Sequence, residues 1–270
     1  MRRILAPSAT LAAVLAIAVA GCASKPAQPS TAPIIETPQV QLAPTPPVTP
    51  RRKAELHTEL AAGYYERGQM NVALDELKQA EADDPTYPRI YNVYGLVYTM
   101  IGEADKAEAN FRRALSMAPG DSEIHHNWGA YLCSHGHAAE SIPEFETAAR
   151  DPLYKTPEIA LTNAGKCSVL LGKNAEAEAY FRRALSLRPQ DASAAYNLAL
   201  LKYREGMFDD AQALMRTVMA QNNAPAPALY LGMCIEKRKG DRDSQDSYAQ
   251  QIRNRFPRSP EAQNLDGKDC

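Results

Sequence analysis

YNVYGLVYTMIGEADKAEANFRRALSMAP, Tyr91–Pro119, is the stretch from which the fold can be read. Its last part, FRRALSMAP at Phe111–Pro119, returns as FRRALSLRP at Phe181–Pro189. The offset of 70 residues is two units of about 34 plus a short insertion. A fixed period of this size marks a chain built from stacked supersecondary units, none of which can bury its apolar face alone. Pro85, Pro119, Pro189 and Pro257 each follow a helical pattern and stop it, because proline lacks the amide hydrogen that a helix interior needs.

Taking those prolines as position 32 sets the register. The first unit spans 54–87 and the second 88–121, followed by 122–157, 158–191, 192–225 and 226–258. Large residues recur at positions 7, 11 and 24, as Leu60, Tyr64 and Leu77, then Tyr94, Tyr98 and Phe111. Small residues recur at 8, 20 and 27, as Ala61, Ala73 and Ala80, then Gly95, Ala107 and Ala114. Position 15 is the turn glycine, Gly68 and Gly102 in the first two units, where a left-handed backbone is needed. This is the tetratricopeptide pattern. It predicts an all-α fold, a right-handed superhelical solenoid of about six helix pairs within residues 51–260, with a tail over 261–270. The 122–157 unit carries the 2 extra residues, within DPLYKTP at Asp151–Pro157. The sixth unit aligns only after a one-residue slip.

Composition sets limits. The chain has 270 residues, 45% hydrophobic and 23% charged, with a net charge of -2, which excludes a strongly basic nucleic-acid binder. Residues 1–21 read as a signal peptide. Arg2 and Arg3 are its positive region, and Leu11–Ala20 is an apolar run too short to span a bilayer. It ends Val19-Ala20-Gly21-Cys22, which resembles a bacterial lipobox with Cys22 as the lipidated residue; the alternative is an ordinary secretory signal with a chance cysteine. Ala23 and Ser24 bring no Asp after Cys22, a pattern similar to that of lipoproteins sorted to the outer membrane. The expected location is therefore the outer membrane, lipid-anchored and facing the periplasm. Residues 22–50 are rich in Pro, Thr, Ala and Gln and read as a tether. At about 3 Å per extended residue it reaches several tens of ångströms.

Positions 2, 5, 9, 12 and 13 of each first helix are expected to face the concave surface. Among them Tyr65, Asn92, Leu96, Thr99 and Met100 form the candidate partner-binding groove, with the first two repeats favoured as nearest the tether. Val169, Leu170, Leu200 and Tyr203 extend the same mixed face. Such a surface suits a peptide or an amphipathic helix; the alternative is that these residues pack between adjacent helices. Of the paired Lys and Asn that clamp a terminal carboxylate the lysines are missing, since position 5 is Thr58, Asn92 and His126 and position 6 is Glu59, Val93 and Asn127. His125, His126, His135, His137 and Cys133 are separated by the helical register, so no metal is expected. Cys133 and Cys167 fall on neighbouring first helices, and a disulfide between them is expected in an oxidising compartment; two buried thiols are the alternative. Cys270 is expected to be free, pairing with Cys234 only adventitiously. No nucleophile elbow, Walker loop, HExxH or dinucleotide fingerprint is present, so no enzyme, cofactor or small-molecule substrate is expected.

Several stretches are more specific than the repeat pattern. HTEL at His57–Leu60, YGLVY at Tyr94–Tyr98, DPLYKTPE at Asp151–Glu158, NAGKC at Asn163–Cys167 and the segment Gly240–Gln263 resemble the pilotin-type PilF/PilW family of type IV pilus biogenesis lipoproteins. The resemblance covers nearly all of the mature domain. It implies an outer-membrane lipoprotein with six repeats that binds the type IV pilus secretin and promotes its localisation and multimerisation, supporting pilus biogenesis and twitching. The competing expectation is a repeat scaffold lipoprotein of another cell-envelope assembly.

Overall fold

The computed structural model describes residues 48–221, 223–265 and 270. The expectations for the signal peptide, for Cys22 and for the tether up to residue 47 lie outside the described residues. Among the described residues the chain is all helical. The helices are α1 (Pro50–Glu66), α2 (Met70–Asp83), α3 (Pro88–Met100), α4 (Ala104–Met117), α5 (Ser122–Ser134), α6 (Ala138–Arg150) and α7 (Pro157–Leu170). They continue as α8 (Asn174–Leu187), α9 (Ala192–Arg204), α10 (Phe208–Met219), α11 (Ala226–Lys239), α12 (Arg242–Arg255) and the short α13 (Pro260–Gln263). Consecutive helices pair as α1 with α2 through α11 with α12. Each first helix also packs on both helices of the repeat before it, and α13 closes against α11 and α12.

Local chemistry sets the boundaries. Asp121, Asp191 and Asp241 cap α5, α9 and α12, each accepting a hydrogen bond from a backbone N–H of the first turn. α2, α4, α8 and α12 each end two residues before Pro85, Pro119, Pro189 and Pro257. Position 15 is glycine in all six repeats, with φ between 69° and 88°. An L side chain would be strained there, so this one position fixes every helix hairpin.

Packing within each repeat couples position 8 to position 24. Phe111, Phe145 and Phe181 lie flat on Gly95, Gly129 and Gly165, so closely that a Cβ on Gly165 would sit 2.5 Å from the Phe181 ring. Where position 8 is alanine the partner is aliphatic: Ala61 goes with Leu77, and Ala199 with Met215. Small and large residues thus trade volume within a fixed interhelical space. In the sixth repeat Tyr248 takes the aromatic place against Gly232, which shows the one-residue slip directly.

One core assignment needs correction, and one core position departs from the pattern. Leu60, expected as a core knob, is 50% exposed, whereas its counterparts Tyr94 and Trp128 are buried. Position 7 packs on the preceding repeat, and among the described residues none precedes the first. Position 11 is Tyr64, Tyr98 and Leu132 in repeats one to three, but Ser168, Lys202 and Glu236 in repeats four to six. These polar residues are buried all the same. Lys202 reaches back to Glu178 of the preceding repeat at 2.7 Å and to Glu205 at 2.9 Å. Glu236 meets Gln212, the equivalent residue of the next seam, whose Nε2 donates to both carboxylate oxygens at 2.9 and 3.1 Å. The last two seams are therefore joined by buried polar contacts where the earlier repeats carry a large apolar or aromatic residue.

Candidate functional site

The first helices α1, α3, α5, α7 and α9 carry the candidate groove, and the structure treats its five residues differently. Met100, the last residue of α3, is 59% exposed. Tyr65 is half-buried, and burial together with the charge of Glu66 holds its phenol above the ordinary range. Leu96 is half-buried against the Phe111, Trp128 and Leu132 cluster. The Thr99 hydroxyl donates to the Gly95 carbonyl of its own helix at 2.7 Å. Asn92 is 1% exposed, and its carbonyl accepts from Asn127 Nδ2 at 3.2 Å. It joins α3 to α5 and is not presented to a partner, because position 5 lies under the following first helix.

The most exposed apolar residues of this face, two of them at the expected position 13, lie at the ends of two first helices. Met100 and Ile101 end one first helix, and Leu170, at 71% exposed, and Leu171 end another. In repeats one, three and five the same places hold Glu66 and Arg67, Ser134 and His135, and Arg204 and Glu205. Ile101 and Leu171 were missed by the concave-position rule, although an apolar pair directly before the turn glycine is a legible signal. A small cavity of about 80 Å³ opens between α7 and α9, lined by Lys166, Val169, Leu200 and Arg204. Val169, Leu170 and Leu200, expected to extend the face, thus offer exposed or cavity-lining apolar surface in repeats four and five.

Histidines at position 4 tie the helices of a repeat together. His57 Nδ1 pairs with Glu76 at 2.6 Å, and His125 Nδ1 with Glu144 at 2.5 Å. His125 Nε2 also lies 2.9 Å from the Pro119 carbonyl, the place that the Tyr91 hydroxyl reaches on Pro85 one repeat earlier. A carbonyl and a carboxylate both accept, so His125 satisfies both only as the imidazolium. The Glu144 hydrogen bond accordingly raises its pKa, against the opposing effect of burial. His126 is pushed the other way by burial and stacks edge-on against Phe145. His135 and His137 flank Gly136 at the turn. Among the described residues no three His, Cys, Asp or Glu side chains are placed to hold a metal.

Cys133 on α5 and Cys167 on α7 face each other with Cα atoms 6.0 Å apart and sulfurs at bonding distance. Cys234 and Cys270 also lie at bonding distance, with Cα atoms 5.1 Å apart, where Cys270 was expected to be free. The reason is tertiary: α13 turns the chain back over α11, which brings the terminus onto the last repeat.

Comparison with known proteins gives this surface a context. Tetratricopeptide repeat families match residues 63–102, 88–121, 128–195 and 169–231. The chain is 27% identical over 209 residues to the type IV pilus assembly protein PilF of Pseudomonas aeruginosa, covering 77% of this chain and 83% of that one. It superposes on the crystal structure of PilW, a widely conserved type IV pilus biogenesis factor, with a TM-score of 0.72 at 33% identity, covering 78% of this chain and 97% of PilW. The P. aeruginosa PilF structure gives a TM-score of 0.74 at 26% identity, covering 80% and 98%.

Proposed function

Because the chain belongs to the family of tetratricopeptide-repeat type IV pilus biogenesis factors that includes PilW and PilF, we propose that it is an outer-membrane lipoprotein pilotin for the type IV pilus secretin. The observation that carries this reading is the match to PilW at 33% identity across 97% of that chain. On this reading the lipid on Cys22 directs the chain to the outer membrane, and residues 22–49 give it reach. A segment of a secretin subunit then lies along the first-helix face, with its apolar side chains against Met100, Ile101, Leu170 and Leu171. Those residues are exposed, and burying them would supply the affinity that a peptide held in a groove requires.

The experiment is a gene deletion, with membranes blotted unheated for secretin multimers. Loss of outer-membrane multimers and of twitching is expected. Normal multimers with intact twitching would overturn the pilotin reading and leave a scaffold role in another envelope assembly. Cys22→Ala tests tethering: the secretin should mislocalise while the repeat domain stays folded.

A further inference from the structure

The seams of repeats four–five and five–six use the same two positions with different charge. At the first, Lys202 of α9 lies between two carboxylates, Glu178 and Glu205. At the second, Glu236 of α11 is 5% exposed and receives the neutral amide of Gln212. The amide's orientation is fixed from behind, because Lys239 donates to Gln212 Oε1 at 2.6 Å and is itself paired with Asp209 at 2.6 Å. Lys239 is therefore engaged one group away from the carboxylate. A buried carboxylate is stabilised best by a cation with matched hydrogen bonds, and this one meets a neutral donor on one side.

On its other sides are two cavities of about 420 and 200 Å³, both bounded by Glu236, Tyr248 and Met219. They are lined by α10, α11 and α12 and share no residue with the candidate groove on the first helices. Tyr248 lies against the bare backbone of Gly232 and forms one wall; Met219 forms the other. Tyr248 and Glu236 line both cavities together, and burial with the Glu236 charge holds the phenol above its ordinary range. An aromatic face, a thioether and a buried carboxylate together suit a flat, delocalised cation. Arg255 also lines the larger cavity but is bound to Asn223 and the Ala224 carbonyl. Arg216 lies exposed at the rim of the smaller one, and among the described residues it forms no ion pair with Glu236.

We infer that the groove between α10 and α12 is a second docking site, which takes an arginine side chain from an extended segment of a protein partner with Glu236 as its counter-ion. The two adjoining cavities hold more than one side chain, so flanking residues of the same segment fill the remainder. The site is separate from the first-helix face and does not rest on the identity of the partner there.

The test uses the full chain with methyl-labelled methionines, titrated with N-acetyl-arginine amide and with its neutral isostere N-acetyl-citrulline amide. The arginine probe should shift the Met215 and Met219 methyl signals saturably, and the citrulline probe should not. Glu236→Gln, checked for helicity, should weaken the arginine probe by about tenfold or more, the effect of losing roughly 1.4 kcal/mol of binding. Met219→Lys supplies a tethered ammonium and should block the probe, a second variant that does not depend on removing a buried group. Equal shifts from both probes, or undiminished binding in a folded Glu236→Gln chain, would overturn the inference. Saturable binding seen only in Arg216→Gln would assign the counter-ion to the chain itself and overturn it too. Tighter binding of free arginine than of the capped form would overturn the peptide source.

Discussion

Replacing Gly165 by alanine tests how the repeats close, because two opposing effects of known sign meet there. Alanine is favoured over glycine in a helix by about 1 kcal/mol. Its Cβ would stand 2.5, 2.8 and 2.9 Å from three atoms of the Phe181 ring. That ring is fully buried between α7 and α9 and cannot swing away. Overpacking of this kind costs about 1–3 kcal/mol, and contacts this short belong at the upper end. The net effect expected is a loss of about 2 kcal/mol. Phe181→Leu alone leaves unfilled space and should cost about 1–2 kcal/mol. The double variant reproduces the Ala61 and Leu77 pair that the first repeat already uses, so it should lose about 1 kcal/mol or less. The coupling is then about 2 kcal/mol, within the range found for residues in direct contact. Urea unfolding of the four chains, followed by circular dichroism, gives the cycle. Two further glycines grade the effect. Gly129→Ala meets its nearest atoms at 3.2 Å and should cost less. Gly63→Ala on α1 meets nothing within 4 Å and should stabilise, by roughly 0.5–1 kcal/mol. A neutral Gly165→Ala, or a double variant that is additive within about 0.5 kcal/mol, would refute the reasoning.

His125 gives a pH dependence. Its folded-state pKa is raised by Glu144, so its contribution is fully present below the unfolded value of 6.5 and is lost as pH rises through the folded value. The melting-temperature gap between the parent chain and His125→Gln should therefore be wider at pH 5.5 than at pH 8.5; a gap independent of pH would contradict the imidazolium assignment. Lys202→Met should destabilise by about 2–3 kcal/mol in urea, less than for a fully buried pair, because Glu178 and Glu205 reach solvent once released; a stabilised variant would show that the seam prefers apolar packing. Joint substitution of Cys133 and Cys167 by alanine opens a cross-link across 34 residues and should lower non-reducing stability by about 3 kcal/mol. Unchanged stability, with both thiols alkylated in the parent chain, would remove the bridge. Leu170→Asp should leave helicity unchanged and reduce secretin co-purification several-fold; full retention would move the contact elsewhere.

The period, the turn glycines and the small residues at positions 8, 20 and 27 could be read from the chain by itself. Each is local: it concerns one hairpin, and its residues lie within 34 positions of one another. The candidate groove was less legible. Asn92 and Met100 sit on the same helix at positions assigned to the same face, yet one is sealed by Asn127 and the other lies in solvent. The difference comes from how far the next first helix overlaps, which depends on the superhelix. Leu60 is exposed for the related reason that its expected partner is a preceding repeat.

Position 11 marks the boundary most clearly. The sequence places Lys202 and Glu236 where a large apolar residue belongs and gives no sign of how a charge is accommodated there. The answer is a residue 24 positions earlier, on the second helix of the preceding repeat. Hydrophobic periodicity determined which residues turn inward. Only the stacking of repeats decided what each one meets, because the partner across a seam lies outside the unit whose pattern places the residue.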